Sequence, residues 1–283
     1  MQMANLGGGL NEDRSRRVAI GFLNFGHGLD HYVMLIFATV VIGLVVEYNR
    51  PYDELLKLGT ASFFAFGIFS LPAGWLADHW SRRNMMAAFF IGCGVSLAAA
   101  ALAPNLFVLA IALFVLGIFA AIYHPVGTAM VVQAAKQRGR TLALNGVCGN
   151  LGVALAAGIT AELTTWVGWQ GAFLIPAAVC IVAGIAYLAL VPDDRGHTTN
   201  RSAAPDVRLV PWVAAAVFGL FILIAMSAGL VFNTVTIALP KIIDERIGAG
   251  ISLSDVGRIA TAVFLCGAIA QLMVGRIVER FPP

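Results

Sequence analysis

Residues 74–83 read Gly74-Trp-Leu-Ala-Asp78-His-Trp80-Ser-Arg82-Arg83. A small residue is followed four positions on by an acid, then an aromatic, then two arginines. The stretch joins two apolar runs, Leu58–Ala77 and Met85–Ala103, each close to the roughly 20 residues that an α-helix needs to cross the hydrocarbon core of a bilayer. A short charged hinge between two such runs predicts a membrane hairpin with its turn at the lipid–water boundary. The pattern recurs at Gly275-Arg-Ile-Val-Glu279-Arg-Phe281: glycine, acid and aromatic each return at an offset of 201 residues. Both copies come two apolar runs into a set, so the chain reads as two related halves, in the manner of transporter repeats.

Working outward gives eight runs: Val18–Val46, Leu58–Ala77, Met85–Ala103, Leu106–Val132, Leu142–Ala161, Gly171–Val191, Leu209–Leu239 and Ile259–Gly275. They lack the two-residue alternation of a membrane barrel and are about twice the length of its strands. The first run carries no small-residue cleavage site and reads as a retained span, not a signal peptide. Composition agrees. Of 283 residues, 59% are hydrophobic and 12% charged, and mean hydropathy is +0.86; a soluble domain carries about 25% charge. No compact basic region exists to hold a nucleic acid. The fold class expected is all-α: a polytopic membrane protein with a six-helix bundle plus the first two helices of a second, pseudo-symmetric bundle.

Thirteen of the 18 Lys and Arg fall on one side of these spans, the side of the N-terminus, of Arg82 and Arg83 and of the chain's end. By the positive-inside rule that side is cytoplasmic. The longest polar interruption, Pro192–Arg208, is rich in Pro, Ser, Thr and charge and reads as a cytoplasmic linker. The expected division is an N-terminal bundle over 1–191, the linker over 192–208 and the start of a C-terminal bundle over 209–283. If the second half repeats the first, the complete protein has about 400 residues and this chain is a fragment of it; the alternative is a genuine eight-span protein.

With this loop, this linker and this repeat, the sequence resembles the major facilitator superfamily. Its signature between the second and third spans, G-x-x-x-D-x-x-G-R-[RK], is met by Gly74, Asp78, Arg82 and Arg83, with Ser81 where glycine is usual. The resemblance covers the whole chain and implies a transporter of two six-helix halves, in which contacts of this loop latch the outward-facing state. Within the superfamily, His27-Gly-Leu-Asp30-His31 and Tyr123-His124-Pro125 are similar to bacterial exporters of the fosmidomycin-resistance type. Two further features depart from the family pattern. Leu113 stands where proton-coupled members often carry an arginine in the fourth span. The fifth span has Asn145, Gly146, Gly149, Asn150, Gly152 and Gly158 but no Gly-Pro step; small residues at this spacing read as helix packing.

Ionisable groups at membrane depth are costly and usually functional. Asp30 lies 13 residues past Arg17, about 20 Å along its helix, and His124 lies 12 residues before Lys136 on a helix running the other way, about 18 Å in. Both therefore reach mid-depth. His27, Asp30 and His31 share one helix face by their i, i+3, i+4 spacing. In the resembled family the first and fourth spans line the central cavity. The cluster is expected to take up and release protons as substrate moves, with Asp30, His31, His27 and His124 carrying it and Tyr123 and Asn233 as further cavity groups. Pro125 is expected to kink the fourth helix. Arg258 reads as a snorkelling anchor at the outer surface.

His-x-x-Asp-His with a fourth group at equal depth could also ligate a transition metal. That reading is set aside because the chain has only five histidines. Cys93, Cys148, Cys180 and Cys266 are scattered singly in apolar runs, so neither a zinc site nor a disulfide framework is expected of them. Signatures of a catalytic serine, cysteine or P-loop are absent. The expected protein is not an enzyme and takes no cofactor. It is a monomeric secondary transporter of the bacterial inner membrane, exporting a small organic molecule against protons by alternating access. An importer or uniporter of the same fold, or a non-transporting membrane sensor or assembly protein, stands as the alternative.

Overall fold

A chain crossing lipid must pair every backbone N–H and C=O within itself, and long runs of Leu, Ile, Val, Ala and Phe do so as helices. The structure, a computed structural model, describes residues 2–193, 210–247 and 250–280, with side chains described over 13–193, 210–247, 250–270 and at 273. Among the described residues there are helices and no strand. They are α1 (Gln2–Tyr48), α2 (Tyr52–His79), α3 (Arg82–Ala101), α4 (Leu106–Ala134), α5 (Arg138–Leu190), α6 (Pro211–Ile247) and α7 (Leu253–Arg280). The chain is thus an all-α polytopic membrane protein. All but the first two residues of the expected linker lie outside the described residues, as do the side chains of Gly275, Glu279 and Phe281.

Two of the eight apolar runs lie in α5, which consists of two helices meeting at a kink. At 53 residues it would extend about 80 Å if straight, against a hydrocarbon core of about 30 Å. It breaks at Gly168, whose φ of 78° lies in the left-handed region that a Cβ disfavours. Just before the break, the hydroxyls of Thr164 and Thr165 donate to the carbonyls of Thr160 and Ala161, a back-bonding that bends helices. The arms 138–167 and 169–190 are the fifth and sixth spans.

The first helix runs through the middle of the assembly: 72% of its most apolar window is buried, against 0% for α6. Packing around it is aromatic. Tyr187, on the second arm of α5, meets Phe22 of α1 at 5.5 Å and Phe90 of α3 at 5.7 Å between ring centroids. Phe69 of α2 meets Phe114 of α4 edge-on at 6.3 Å. Polar ends close one rim of the bundle. Asp13, where the membrane-spanning part of α1 begins, pairs with Arg16 at 3.0 Å and with Lys136, just past α4, at 2.9 Å. Arg83 at the start of α3 donates to the carbonyls of Leu188 and Val191 at the end of α5. These carbonyls are the ones a helix C-terminus leaves without intrahelical partners, and a cation there meets the negative end of the dipole.

Candidate functional site

The fourth helix prepares the site. Proline at 125 has no N–H to give the preceding turn. After a regular α-helical stretch over Leu106–Ala120 the backbone widens into a π-turn, Tyr123–Gly127, before resuming as Thr128–Ala134. Such turns recur at functional sites. Here the turn buries Tyr123 completely and leaves His124 open. Pro125, where a kink was expected, lies within this π-turn.

Opposite it, α1 presents His27, Asp30 and His31 on one face. Asp30 is 1% exposed. Its Oδ2 lies 3.4 Å from Nε2 of His124, and its Oδ1 is buried with no hydrogen-bond partner. The two residues that helix arithmetic set at equal depth are in contact. The three imidazoles gather around them: ring centroids are 5.0 Å apart for His27 and His31, 5.4 Å for His27 and His124, and 5.5 Å for His31 and His124. Nδ1 of His27 is 2.7 Å from the Asn145 carbonyl oxygen. A carbonyl only accepts, so Nδ1 carries the proton and Nε2 keeps its lone pair when the ring is neutral.

Behind the imidazoles lies a closed polar network. The Tyr123 hydroxyl donates to the Leu23 carbonyl at 2.8 Å and accepts from Asn145 Nδ2 at 2.9 Å, while the same Nδ2 reaches Asn24 Oδ1 at 3.0 Å. The Tyr123 ring stacks on His27 at 4.9 Å. Tyr123 is therefore a support for His27 and not the cavity group expected of it. The first arm of α5 comes close enough to join this network because two glycines face each other. A Cβ on Gly152 would lie 2.0 Å from the Gly28 carbonyl oxygen.

In front of the imidazoles is a cavity of about 1050 Å³, walled by Asp30, His31 and His124, by Phe37, Phe63 and Phe66 of α1 and α2, and by Phe232 and Asn233 of α6. Asn233 thus sits on the wall, donating to the Gly229 carbonyl of its own helix. His31 meets Phe232 edge-on at 5.8 Å. Among the described residues none of those lining it is Lys or Arg.

The loop that opened the sequence reading lies at the rim. A Cβ on Gly74 would come 3.2 Å from Pro125, so the absence of a side chain lets α2 pass close to the π-turn beside His124. Asp78 pairs with Arg82 at 2.7 Å, and Arg82 also donates to Gln133 on α4. Ser81 accepts from the Asn84 N–H at 3.1 Å, capping α3. At the opposite rim, Arg258 of α7 pairs with Glu162 of α5 at 2.7 Å, and Ser254 donates to the same carboxylate at 3.3 Å. Arg258 is a clasp between helices and not the snorkelling anchor expected.

The sequence pattern of the Major Facilitator Superfamily matches residues 20–283. The chain belongs to this superfamily. A chloramphenicol resistance protein of Streptomyces lividans is 29% identical over 258 residues, spanning 86% of this chain and 63% of that protein. A gentisate transporter of Corynebacterium glutamicum is 26% identical over 194 residues, 66% of this chain and 43% of that one. The chain thus spans less than two-thirds of the length of these relatives. The crystal structure of a D-xylose–proton symporter shares the fold, with a TM-score of 0.63 at 15% identity, over 93% of this chain and 69% of that one.

Against the superfamily's pattern the departures now have a physical sense. Ser81 replaces the usual glycine and supplies an N-cap. Leu113, where an arginine is frequent, is 1% exposed in the apolar core, and the ionisable group of α4 is His124, 11 residues further on. Two groups escaped sequence reasoning. Asn24 carries no signal beyond polarity within an apolar run. Glu162 ends the fifth run, and nothing in a separation of 96 residues points it at Arg258.

Proposed function

We propose that this chain is the larger part of a secondary transporter working by alternating access, exporting a small organic molecule in exchange for protons. The observation that carries it is Asp30. A carboxyl group is held in a 1% exposed position, in contact with His124 and with one oxygen unpartnered, on the wall of a solute-sized cavity. Burying such a group without full pairing costs several kcal/mol, about what a functional requirement would have to offset. Asp30 is the proton carrier, His124 and His31 its partners facing solute, and His27 the fixed member behind them. Asn233 contacts solute from the other half.

The division into 1–191, 192–208 and 209–283 supports two bundles rocking about the cavity. With the N-terminus cytoplasmic the rim at Glu162 and Arg258 is the outer one, and its ion pair supports reading this conformer as inward-facing. Gly74, Asp78, Arg82 and Arg83 form the inner gate that closes in the opposite state. The lipid bilayer is that of a bacterial inner membrane, with the N-terminus cytoplasmic, and the protein works as a monomer. The name of the Streptomyces relative supports export. The mostly apolar and aromatic wall favours a solute with a ring or hydrocarbon body.

The test uses the full-length protein in liposomes, with proton gradients of either sign and a panel of small aromatic compounds. Solute should move against the proton flux. Asp30→Asn should abolish gradient-driven movement while leaving solute binding within a fewfold. If Asp30→Asn transports down an imposed proton gradient as well as the parent does, the coupling role is wrong.

A further inference from the structure

We propose that His27, His31 and His124 form a binding site for one first-row divalent transition cation of the cobalt, nickel or zinc kind. The inference goes beyond the transport reading and does not depend on it. A ring nitrogen of each histidine lies within 4.8 Å of the others. A tetrahedral ion with bonds of about 2.0–2.1 Å holds such nitrogens about 3.4 Å apart, so the rings need to close by little more than 1 Å. Two of them sit on one face of α1 and the third on the π-turn of α4, so ordinary side-chain rotation suffices.

What distinguishes the cluster from three packed imidazoles is the set of groups around it. Metal-ligating histidines give their other ring N–H to a carbonyl or carboxylate, which fixes the tautomer and aims the lone pair. Both partners are present. The Asn145 carbonyl takes the Nδ1 proton of His27 at 2.7 Å, leaving Nε2 as the donor atom. Asp30 Oδ2 faces Nε2 of His124 at 3.4 Å, close enough to take its N–H when the rings close on an ion and Nδ1 turns to it. The second oxygen of Asp30 is buried without a partner, so a carboxyl oxygen with unused acceptor capacity lies beside the triad. A divalent cation bound there would favour the ionised carboxyl, whose charge would offset part of the cation's own desolvation.

Among the described residues no Lys or Arg lines the adjoining cavity to oppose a cation. Imidazole donors favour cobalt, nickel, copper and zinc over magnesium and calcium. Three protein ligands leave a fourth position, and since His31 and His124 line the cavity it opens there, to water or to an oxygen or nitrogen donor of a solute. The count of five histidines, which argued against a metal, is beside the point once three of the five meet.

The experiment titrates cobalt(II) into purified, tag-free full-length protein and follows its visible absorption. One equivalent should produce the strong bands of a four-coordinate site, and zinc should erase them. His31→Asn and His124→Gln should each weaken cobalt binding more than tenfold. Asp30→Asn, acting through His124, should weaken it about 10- to 100-fold. His79→Ala, an exposed histidine bonded to its own helix, should bind as the parent does. A parent protein without a saturable band overturns the site, as do His31→Asn and His124→Gln proteins that elute as the parent does and bind cobalt equally well. Liposomes that move no solute would sink the transport reading alone, because the titration needs no transport.

Discussion

Asn145 shows how much one side chain can organise inside a membrane. Its Nδ2 ties Asn24 on α1 to Tyr123 on α4, and its carbonyl holds His27. Interhelical side-chain hydrogen bonds in membranes average about 0.6 kcal/mol each. Asn145→Ala removes two of them and leaves the buried Tyr123 hydroxyl without its donor, so unfolding free energy should fall by about 1–2 kcal/mol. Thermal denaturation in detergent checks the figure. Because the His27 bond is to the backbone, Asn145→Ala should leave cobalt affinity closer to the parent's than His31→Asn does. At this scale the sequence was informative about kind and depth. Asp30, His31 and His124 are ionisable groups in apolar runs, and rise per residue placed them level. It could not say that Tyr123 turns away from the cavity, because which way a residue faces on a π-turn depends on where the proline-broken hydrogen bonds are made up.

Among the elements, α5 is decided by its glycines. A Cβ at Gly152 would meet the Gly28 carbonyl oxygen at 2.0 Å, and backbone cannot swing aside as a side chain does. Gly152→Ala should therefore force α1 and α5 apart and cost about 1–3 kcal/mol, seen as a lower melting temperature. At Gly21 of α1 nothing stands within 4 Å, and Gly21→Ala should be neutral or stabilise by up to about 1 kcal/mol. Gly168→Ala should cost about 1–2 kcal/mol by a different route, since the strain is in a φ of 78° and not in space. Helices were legible from runs of apolar residues because lipid forces internal backbone pairing. The interruption between the fifth and sixth runs was legible too, but not that Gly168 makes the break, since a glycine near a helix end is equally compatible with a turn, a close crossing or neither.

For the whole molecule the telling contact is at the rim opposite Arg82. Glu162 and Arg258 join α5 to α7, with Ser254 and Thr165 bonded beside them. Glu162→Gln or Arg258→Gln should loosen that rim and shift the population toward an outward-open state. A cysteine placed at Asn233, in a background lacking Cys148 and Cys266, should then react faster with a membrane-impermeant thiol reagent from the outer face. Unchanged labelling would remove the clasp from the mechanism. The sequence by itself determined that this protein lives in a membrane, which runs can span it and that Asp30 and His124 lie level with each other. Those follow from one-dimensional quantities: transfer free energy summed along a helix and rise per residue. Only the tertiary structure decided which groups meet. That Asp30 touches His124, that three histidines converge and that Glu162 finds Arg258 depend on crossing points between helices, set by glycine contacts and aromatic packing among residues far apart in the chain. Sequence spacing carries no record of those distances.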